Sequence, residues 1–187
     1  MRKIILASGS PRRKQILELA GIDFEVVSIP IEESFPQGME PSNAAIHIAR
    51  NKAIEVKKKL DDSSIIISAD TMVVLQDKII GKPADRFEAI ETLKFLSGIT
   101  HEVITGVCVL YNDQEITFYD RTFVEFKEIS NDQIEFYVDT YKPFDKAGAY
   151  AIQEWLGVIG IKSIKGDYYN VMGLPINRLF DILNKIE

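Results

Sequence analysis

The sequence contains very little cysteine and histidine. Among its 187 residues there is one cysteine, Cys108, and there are two histidines, His47 and His101. A single cysteine excludes an intrachain disulfide, and too few cysteine and histidine side chains are present to build a zinc site. No Ser-His-Asp grouping is visible in the sequence. The scarcity of cysteine is consistent with a reducing compartment.

Long apolar runs are also absent. The apolar run near the N-terminus is only four residues long, 4–7, and the polar segment Ser8-Gly9-Ser10-Pro11-Arg12-Arg13 follows it. This run is too short for the hydrophobic region of a signal peptide. No stretch reaches the roughly 18 apolar residues that suggest a transmembrane helix. We therefore expect a cytoplasmic protein with no membrane partner.

Positive charge is in deficit. The chain has 22 Lys and Arg against 28 Asp and Glu, which gives a formal net charge of −6. Such a surface repels nucleic acid on average, so we expect no nucleic-acid partner. A small phosphorylated ligand remains compatible with this charge, because local charge decides its binding.

Strand-like and helix-like segments alternate along the chain. The apolar run 65–75 predicts a buried strand, and 42–59 predicts a long helix with one apolar stripe. Turn residues at 112–113 separate two strand-like runs, 102–110 and 115–126. Strand character is also predicted for 24–29 and 158–164. The pattern favours an α/β fold, with a mixed β-sheet, flanking helices and two lobes around a cleft. No linker divides the chain, so we expect a single domain, 1–187.

A candidate phosphate site follows the first predicted strand. Ser8 and Gly9 end the predicted strand, Ser10 can cap the helix predicted after it, and Arg12 and Arg13 would lie in the first turn of that helix. Backbone N–H groups at a helix start attract phosphate, and arginine can bind phosphate oxygens through two hydrogen bonds. A plain helix cap with two solvated arginines fits the same residues.

Asp70 interrupts the apolar strand 65–75. Burial of an unpaired carboxylate is costly, so a metal ion, a lysine or a catalytic role must offset it. Lys52 lies on the apolar stripe of its helix, and Lys82 lies in the turn Gly81-Lys82-Pro83. Either lysine could pair with Asp70 or with phosphate, while a snorkelling lysine is the alternative for Lys52.

Two further segments carry polar candidates. Glu32 and Glu33 lie in a loop, and together with Asp70 they would suit Mg²⁺ or Mn²⁺. The segment 145–153 combines small residues with Lys146 and Gln153, and Gln153 could read a base edge through paired hydrogen bonds. Solvated loop glutamates and a simple turn explain the same residues.

Seven short motifs, in this order, resemble the Maf family of nucleotide pyrophosphatases over nearly the whole chain. The motifs are Leu6-Ala7-Ser8-Gly9-Ser10-Pro11-Arg12-Arg13, Ala49-Arg50-Asn51-Lys52-Ala53, Ala69-Asp70-Thr71, Gly81-Lys82-Pro83, Leu96-Ser97-Gly98, Asp145-Lys146-Ala147-Gly148-Ala149-Tyr150 with Ile152-Gln153, and Val171-Met172-Gly173-Leu174-Pro175.

The resemblance implies hydrolysis of a nucleoside triphosphate between its α- and β-phosphates. It implies a fold similar to that of inosine-triphosphate pyrophosphatases, a divalent metal and often a homodimer. The resemblance implies substrate-selecting positions at Arg12, Thr71 and Gln153. Thr71 and Gln153, together with the Asp-Lys-Ala-Gly-Ala-Tyr stretch 145–150, resemble the branch that acts on dTTP, UTP and modified uridine nucleotides. That branch suggests a house-cleaning role, and the family has been linked to cell-division arrest.

The resemblance also implies a role for each matching residue. Asp70 would be the general base, and Glu33 a catalytic or metal-binding carboxylate. Lys52 and Lys82 would hold the phosphates. The other implied substrate-binding residues are Ser8, Arg12, Arg13, Thr71, Lys146 and Gln153.

One departure from the family pattern concerns the residues around Gln153. The branch usually has a glycine pair around Ile-Gln, whereas Ala151 precedes and Glu154-Trp155 follow in this sequence. Two other functions remain open. A sugar-nucleotidyltransferase would need a second glycine at Ser10-Pro11 and an acceptor, and a non-catalytic nucleotide-binding regulator of division would not need the buried Asp70.

Overall fold

The computed structural model describes residues 2–60 and 64–186. It divides the chain into two compact units. The first contains Met1–Asp70, Thr105–Asp120 and Gly173–Glu187, and the second contains Thr71–Ile104 and Arg121–Met172. Strands, helices and both kinds of strand pairing confirm the predicted mixed α/β class. The predicted cleft stays a prediction.

The helices and strands alternate in chain order. The strands are β1 (Ile4–Leu6), β2 (Glu25–Val26), β3 (Ile65–Leu75), β4 (Lys78–Ile80), β5 (Thr100–Tyr111), β6 (Gln114–Phe126) and β7 (Ile161–Lys165). The helices are α1 (Pro11–Leu19), α2 (Pro41–Lys57), α3 (Arg86–Leu96), α4 (Asn131–Tyr141), α5 (Trp155–Gly160), α6 (Tyr168–Met172) and α7 (Ile176–Ile186). No helix in the described ranges is both long and apolar enough to cross a membrane.

The strands form one mixed sheet. Within the described residues its order is β2-β1-β3-β5-β6-β7, with β4 paired to β3. Strand β1 runs parallel to β2 and β3, whereas the β3–β4 and β6–β7 pairs are antiparallel. Most of the predicted elements are present, including the strand predicted for 65–75.

Two sequence predictions about strands need correction. The strand predicted for 24–29 covers only Glu25–Val26. Residues 158–160, predicted as strand, are the last turn of helix α5. The first turn of this helix is closed by the Val158 amide, which donates to the Glu154 carbonyl oxygen at 3.1 Å, so Val158 is already helical. Gly157 then passes so close to the Ile152 carbonyl that an added Cβ would lie 1.9 Å from its oxygen. The apolar run 158–164 therefore contains the end of helix α5 as well as most of strand β7.

Helix α2 covers one face of the sheet in the first unit. Side chains of α2, of β1 and the residue that follows it, of β3 and of β5 form one buried cluster: Ile5, Ala7, Ala49, Ala53, Val56, Ile66, Cys108 and Leu110. Gly106 of β5 lies directly under the helix, where an added Cβ would be 2.3 Å from the Ile46 amide nitrogen. Small residues at this crossing let α2 approach the sheet closely, and this fixes the height of the helix over β3.

An aromatic cluster fills part of the second unit. The ring of His101 packs edge-on against Phe126 and Tyr150, and its Nε2 lies 2.7 Å from the Tyr150 hydroxyl. His101 is buried, and its Nδ1 has no hydrogen-bond partner. Burial disfavours the charged imidazolium and lowers the pKa of His101 to about 4.

We expect the buried His101 to make the fold acid-sensitive. Its folded pKa lies below the ordinary value of 6.5, so its contribution to stability is complete above pH 6.5 and is lost as the pH falls toward 4. Between pH 7 and pH 5 the loss is about 2 kcal/mol. Urea denaturation of the native chain and of His101→Gln at both pH values measures it. Equal pH dependence in the two proteins would contradict the prediction.

Candidate active site

Asp70 lies on the face of β3 that α2 covers. Ser68, two residues earlier and therefore on the same face, donates through Oγ to the Ala49 carbonyl oxygen at 2.5 Å. This bond ties the strand to the helix one turn before Lys52. The side chain of Asp70 is 12% exposed, so the interruption of the apolar run is a buried carboxylate, as its position predicts.

Lys52 joins two carboxylates. Its Nζ donates to Asp70 Oδ1 at 2.7 Å and lies 2.6 Å from Glu33 Oε1. The Lys52 side chain is 14% exposed and that of Glu33 is 40% exposed, so the cluster is covered at Asp70 and opens toward solvent at Glu33. Of the two partners that the sequence left open for Asp70, the structure shows Lys52. We call Glu33, Lys52 and Asp70 the acid–lysine cluster.

The segment before α2 supplies Glu33. Residues 27–36 have no regular secondary structure, and Glu32 and Glu33 are both exposed in this segment. The ion pair to Lys52 comes from Glu33. This distinguishes two neighbouring glutamates that composition and spacing alone left equivalent.

Arg13 is buried and is held from two directions. Its Nε donates to the Gly173 carbonyl oxygen at 2.8 Å, and Nη1 donates to Ser8 Oγ at 3.1 Å. Ser8 Oγ also accepts from the Ser10 amide at 3.3 Å. Arg13 therefore orders the end of β1 and the start of α1. This structural use is absent from the sequence interpretation, which treated Arg13 as a phosphate ligand.

Burial and the neighbouring charges both shift the pKa of Arg13. Burial lowers the pKa of Arg13 below its ordinary value, the charges of Asp70 and Glu33 oppose this, and the Arg12 charge adds to it. An arginine stays protonated under such a shift because its ordinary pKa is so high. Arg12 is half-buried in the first turn of α1. The first unit thus holds a mixed set of fixed charges: Arg12, Arg13, Glu33, Lys52 and Asp70.

The donor set of this unit can be compared with the needs of a divalent metal. Asp70 and Glu33 provide hard carboxylate oxygens within hydrogen-bond distance of the same ammonium nitrogen. Mg²⁺ is typically held by one or two carboxylates plus waters and substrate phosphates, so this pair fits such an ion. No group of three or more His, Cys, Asp or Glu side chains suited to a metal occurs among residues 2–60 and 64–186.

The second unit contains the other candidate residues. Thr71 is half-buried on β3, and Lys82 is exposed after β4. Lys146 is buried, and its Nζ lies 2.7 Å from Asp145 Oδ1 and 3.5 Å from Glu154 Oε1. Gln153 is half-buried, and its Oε1 is buried with no hydrogen-bond partner.

The backbone from Lys146 to Tyr150 is unusual. Gly148 and Ala149 have φ values of 68° and 58°, a left-handed region that glycine enters freely and alanine rarely. A Cβ at Gly148 would lie 2.9 Å from Val73 of β3. Gly148 is therefore required by both its backbone conformation and its close packing against Val73.

The sequence interpretation did not identify Gly106 or Glu154 as important residues. It noted Gly157 only as a glycine that lies farther along the chain than the family pattern places it. Gly106 looked like an ordinary strand residue, although a glycine inside an apolar strand is a signal of close backbone approach. Glu154 was noted only as a departure from a pattern. In the structure its carboxylate accepts from the Tyr137 hydroxyl at 2.5 Å and pairs with Lys146.

Known proteins match nearly the whole chain. A family model described as Maf-like protein matches residues 3–186. The dTTP/UTP pyrophosphatase of Cytophaga hutchinsonii is 51% identical over 98% of this chain and 84% of its own length. The dTTP/UTP pyrophosphatase of Bacillus anthracis is 49% identical over 96% of this chain and 93% of its own length. That of Bacteroides thetaiotaomicron is 44% identical over 98% and 96%.

A solved structure supports the fold. The Ham1 protein of Staphylococcus aureus aligns over the whole of both chains with a TM-score of 0.54 and 17% sequence identity. At this identity the likeness concerns the fold alone. It agrees with the mixed α/β architecture described above.

Proposed function

The chain belongs to the Maf family, and from this membership we propose that it is a nucleoside triphosphate diphosphatase that hydrolyses dTTP and UTP to the monophosphate and pyrophosphate. The shared name of the relatives, at 44–51% identity over nearly the full chain, supports the activity. We further propose that both units act as one Maf-like domain, 1–187, and that the protein is a cytoplasmic homodimer that removes unwanted nucleotides.

The acid–lysine cluster carries the chemical part of this proposal. A buried ion pair that serves stability alone gains little, because desolvation offsets much of the attraction. Here one ammonium joins two carboxylates, one buried and one at the solvent side. A hydrolase needs this combination, because a base must accept a proton from water while positive charge stabilises the phosphates.

The proposed reaction breaks one phosphoanhydride bond. A water oxygen attacks the α-phosphorus, its proton passes to the Asp70 carboxylate, and the bond to the bridging oxygen breaks, so that pyrophosphate leaves with the electron pair. Lys52 fixes the orientation of Asp70 and offers positive charge to the phosphates. Ser8, Arg12, Arg13 and Lys82 are proposed as further phosphate-binding residues.

We propose Asp70 and Glu33 as the residues that hold a divalent cation, Mg²⁺ or Mn²⁺. When bound, the cation would supply positive charge against the triphosphate oxygens. Both carboxylates pair with the Lys52 ammonium in the structure, so a cation held by them would compete with these two ion pairs. A Lys52 ammonium displaced from one carboxylate would be able to donate to phosphate oxygens.

Gln153 is proposed as the residue that reads the base, together with Thr71 and Lys146. The buried Gln153 Oε1 has no hydrogen-bond partner, and a buried acceptor without a donor is costly. Thymine and uracil both present an N3–H donor, whereas cytosine presents an acceptor at the same position. The orphaned oxygen therefore supports a preference for dTTP and UTP over the cytidine nucleotides.

Pyrophosphate release from a panel of nucleoside triphosphates tests this function. The panel contains dTTP, UTP, CTP, dCTP, ATP and GTP, each with Mg²⁺, with Mn²⁺ and with excess chelator. We expect metal-dependent release from dTTP and UTP with the monophosphate as co-product. Release from purine nucleotides alone would overturn the base assignment, and no release from any nucleotide would favour a non-catalytic nucleotide-binding regulator. Release only with a sugar-phosphate acceptor would identify a nucleotidyltransferase.

A further inference from the structure

Glu154 occupies the N-cap position of α5 but does not cap it. Side chains that cap a helix N-terminus, most often Ser, Thr, Asp or Asn, accept a backbone N–H from the first turn of their own helix. The Glu154 side chain makes no such bond. It turns instead to two groups outside the helix, the hydroxyl of Tyr137 on α4 and the ammonium of Lys146. Glu154 therefore contacts Tyr137 and Lys146 in place of the backbone of its own helix. Lys146 belongs to the segment 145–153, which also carries Gln153.

Tyr137 extends the contact of Glu154 to the backbone. The Tyr137 hydroxyl donates to Glu154 Oε2 at 2.5 Å and accepts from the Ala151 amide at 3.2 Å. The Glu154 amide in turn donates to the Ala151 carbonyl oxygen at 3.1 Å. Residues 151–154 therefore form a turn held at both ends by the same buried tyrosine and its carboxylate partner. Gln153 lies within this turn.

The other carboxylate oxygen of Glu154, Oε1, lies 3.5 Å from the Lys146 ammonium. The Lys146 side chain is 9% exposed, and its two carboxylate neighbours differ, since Asp145 is 60% exposed and Glu154 is 23% exposed. Asp145 makes the shorter contact with Lys146 Nζ, at 2.7 Å against 3.5 Å for Glu154, but solvent screens that more exposed carboxylate. Glu154 thus links Lys146 to the turn that carries Gln153 through a single side chain.

We infer that Glu154 is a positioning residue for nucleotide recognition. It holds the turn 151–154 through Tyr137 and holds the ammonium of Lys146. The inference rests on the proposed function, because Gln153 and Lys146 are substrate-binding residues only under that function.

Steady-state kinetics of Glu154→Ala with dTTP tests the inference. Misplacement of the turn should raise KM by about tenfold while kcat stays within about threefold, because Glu154 does not touch the reacting groups. The preference for dTTP over dCTP should fall as well. Glu154→Gln keeps an acceptor for the Tyr137 hydroxyl but removes the negative charge next to Lys146. We therefore expect its KM to lie between those of the native protein and Glu154→Ala.

A double-mutant cycle separates positioning from general destabilisation. If Glu154 acts through Tyr137, the KM effects of Glu154→Ala and Tyr137→Phe should be clearly non-additive. The control is Glu91→Gln, which removes an exposed carboxylate that pairs with Lys94 on α3 of the same unit. Thermal unfolding of every variant identifies loss of fold, and Glu154→Gln, of nearly unchanged shape, keeps the test valid if Glu154→Ala unfolds.

The outcomes distinguish the inference from the function on which it rests. A native protein that releases no pyrophosphate from dTTP or UTP overturns both. An active native protein whose Glu154→Ala and Glu154→Gln variants match Glu91→Gln in KM and in base preference overturns the inference alone. A change in kcat without a change in KM also overturns it.

Discussion

Asp70→Asn is expected to lower kcat for dTTP by about 10²–10⁴-fold, the usual contribution of a general base. Asparagine has nearly the same shape as aspartate but cannot take a proton from water at neutral pH. The ion pair between Asp70 and Lys52 is lost, while Lys52 keeps Glu33 as a partner. Nucleotide binding should therefore persist, and it can be measured by calorimetry alongside single-turnover kinetics.

A matched control lies on the same helix. Arg50 of α2 pairs with Glu115 at 2.7 Å, so Glu115→Gln also removes a carboxylate from a cation of α2, but on the exposed side of the unit. We expect this variant to keep native kcat. Asp70→Asn with native turnover, or a loss of the same size in Glu115→Gln, would rule out Asp70 as the base.

The position of Asp70 shows how much of the site the sequence can predict. A lone carboxylate in an apolar strand predicts burial and a compensating partner, since the cost of an unpaired charge is large. The apolar stripe of α2 likewise predicts that Lys52 points inward. The choice between Lys52 and Lys82 depends on which helix crosses which strand, and that is a tertiary property. Only the packing of α2 on β3 decides it.

The sequence predicts the position of a side chain less well where that side chain could serve two roles. Arg12 and Arg13 are adjacent and chemically identical, yet Arg13 is buried against Gly173 and Ser8 while Arg12 is half-buried. The partner of Arg13 is a backbone carbonyl 160 residues away, which no local pattern encodes. For the same reason the contact of Glu154 with Tyr137 could not be read from spacing.

Glycines were the weakest point of the sequence interpretation. Gly21 and Gly98 lie after helices and adopt φ values of 68° and 72°, as their positions predict. Gly106 and Gly157 are needed for a different reason, namely the lack of a side chain where two backbones meet. That requirement depends on the path of a second segment, so the strand around Gly106 looked like any other apolar run.

Gly106→Ala is expected to destabilise the first unit by about 3 kcal/mol or more, at the upper end of the overpacking range. The new Cβ would lie 2.3 Å from the Ile46 amide nitrogen and 2.4 Å from the Ala45 carbonyl carbon. Both are backbone atoms of α2, so no change of rotamer relieves the clash. The helix must move away from β5 and lose contact with the buried cluster beneath it.

The same displacement should reach the acid–lysine cluster. Lys52 lies on α2, less than two turns after Ile46, whereas Asp70 lies on the sheet, so a shift of the helix lengthens the 2.7 Å contact between them. Urea denaturation and kcat for dTTP should therefore both change in Gly106→Ala. Gly81→Ala is the control, because a Cβ there meets nothing within 4 Å. Stability of Gly106→Ala within about 0.5 kcal/mol of the native chain, the range of neutral surface changes, would show that α2 does not depend on this close approach.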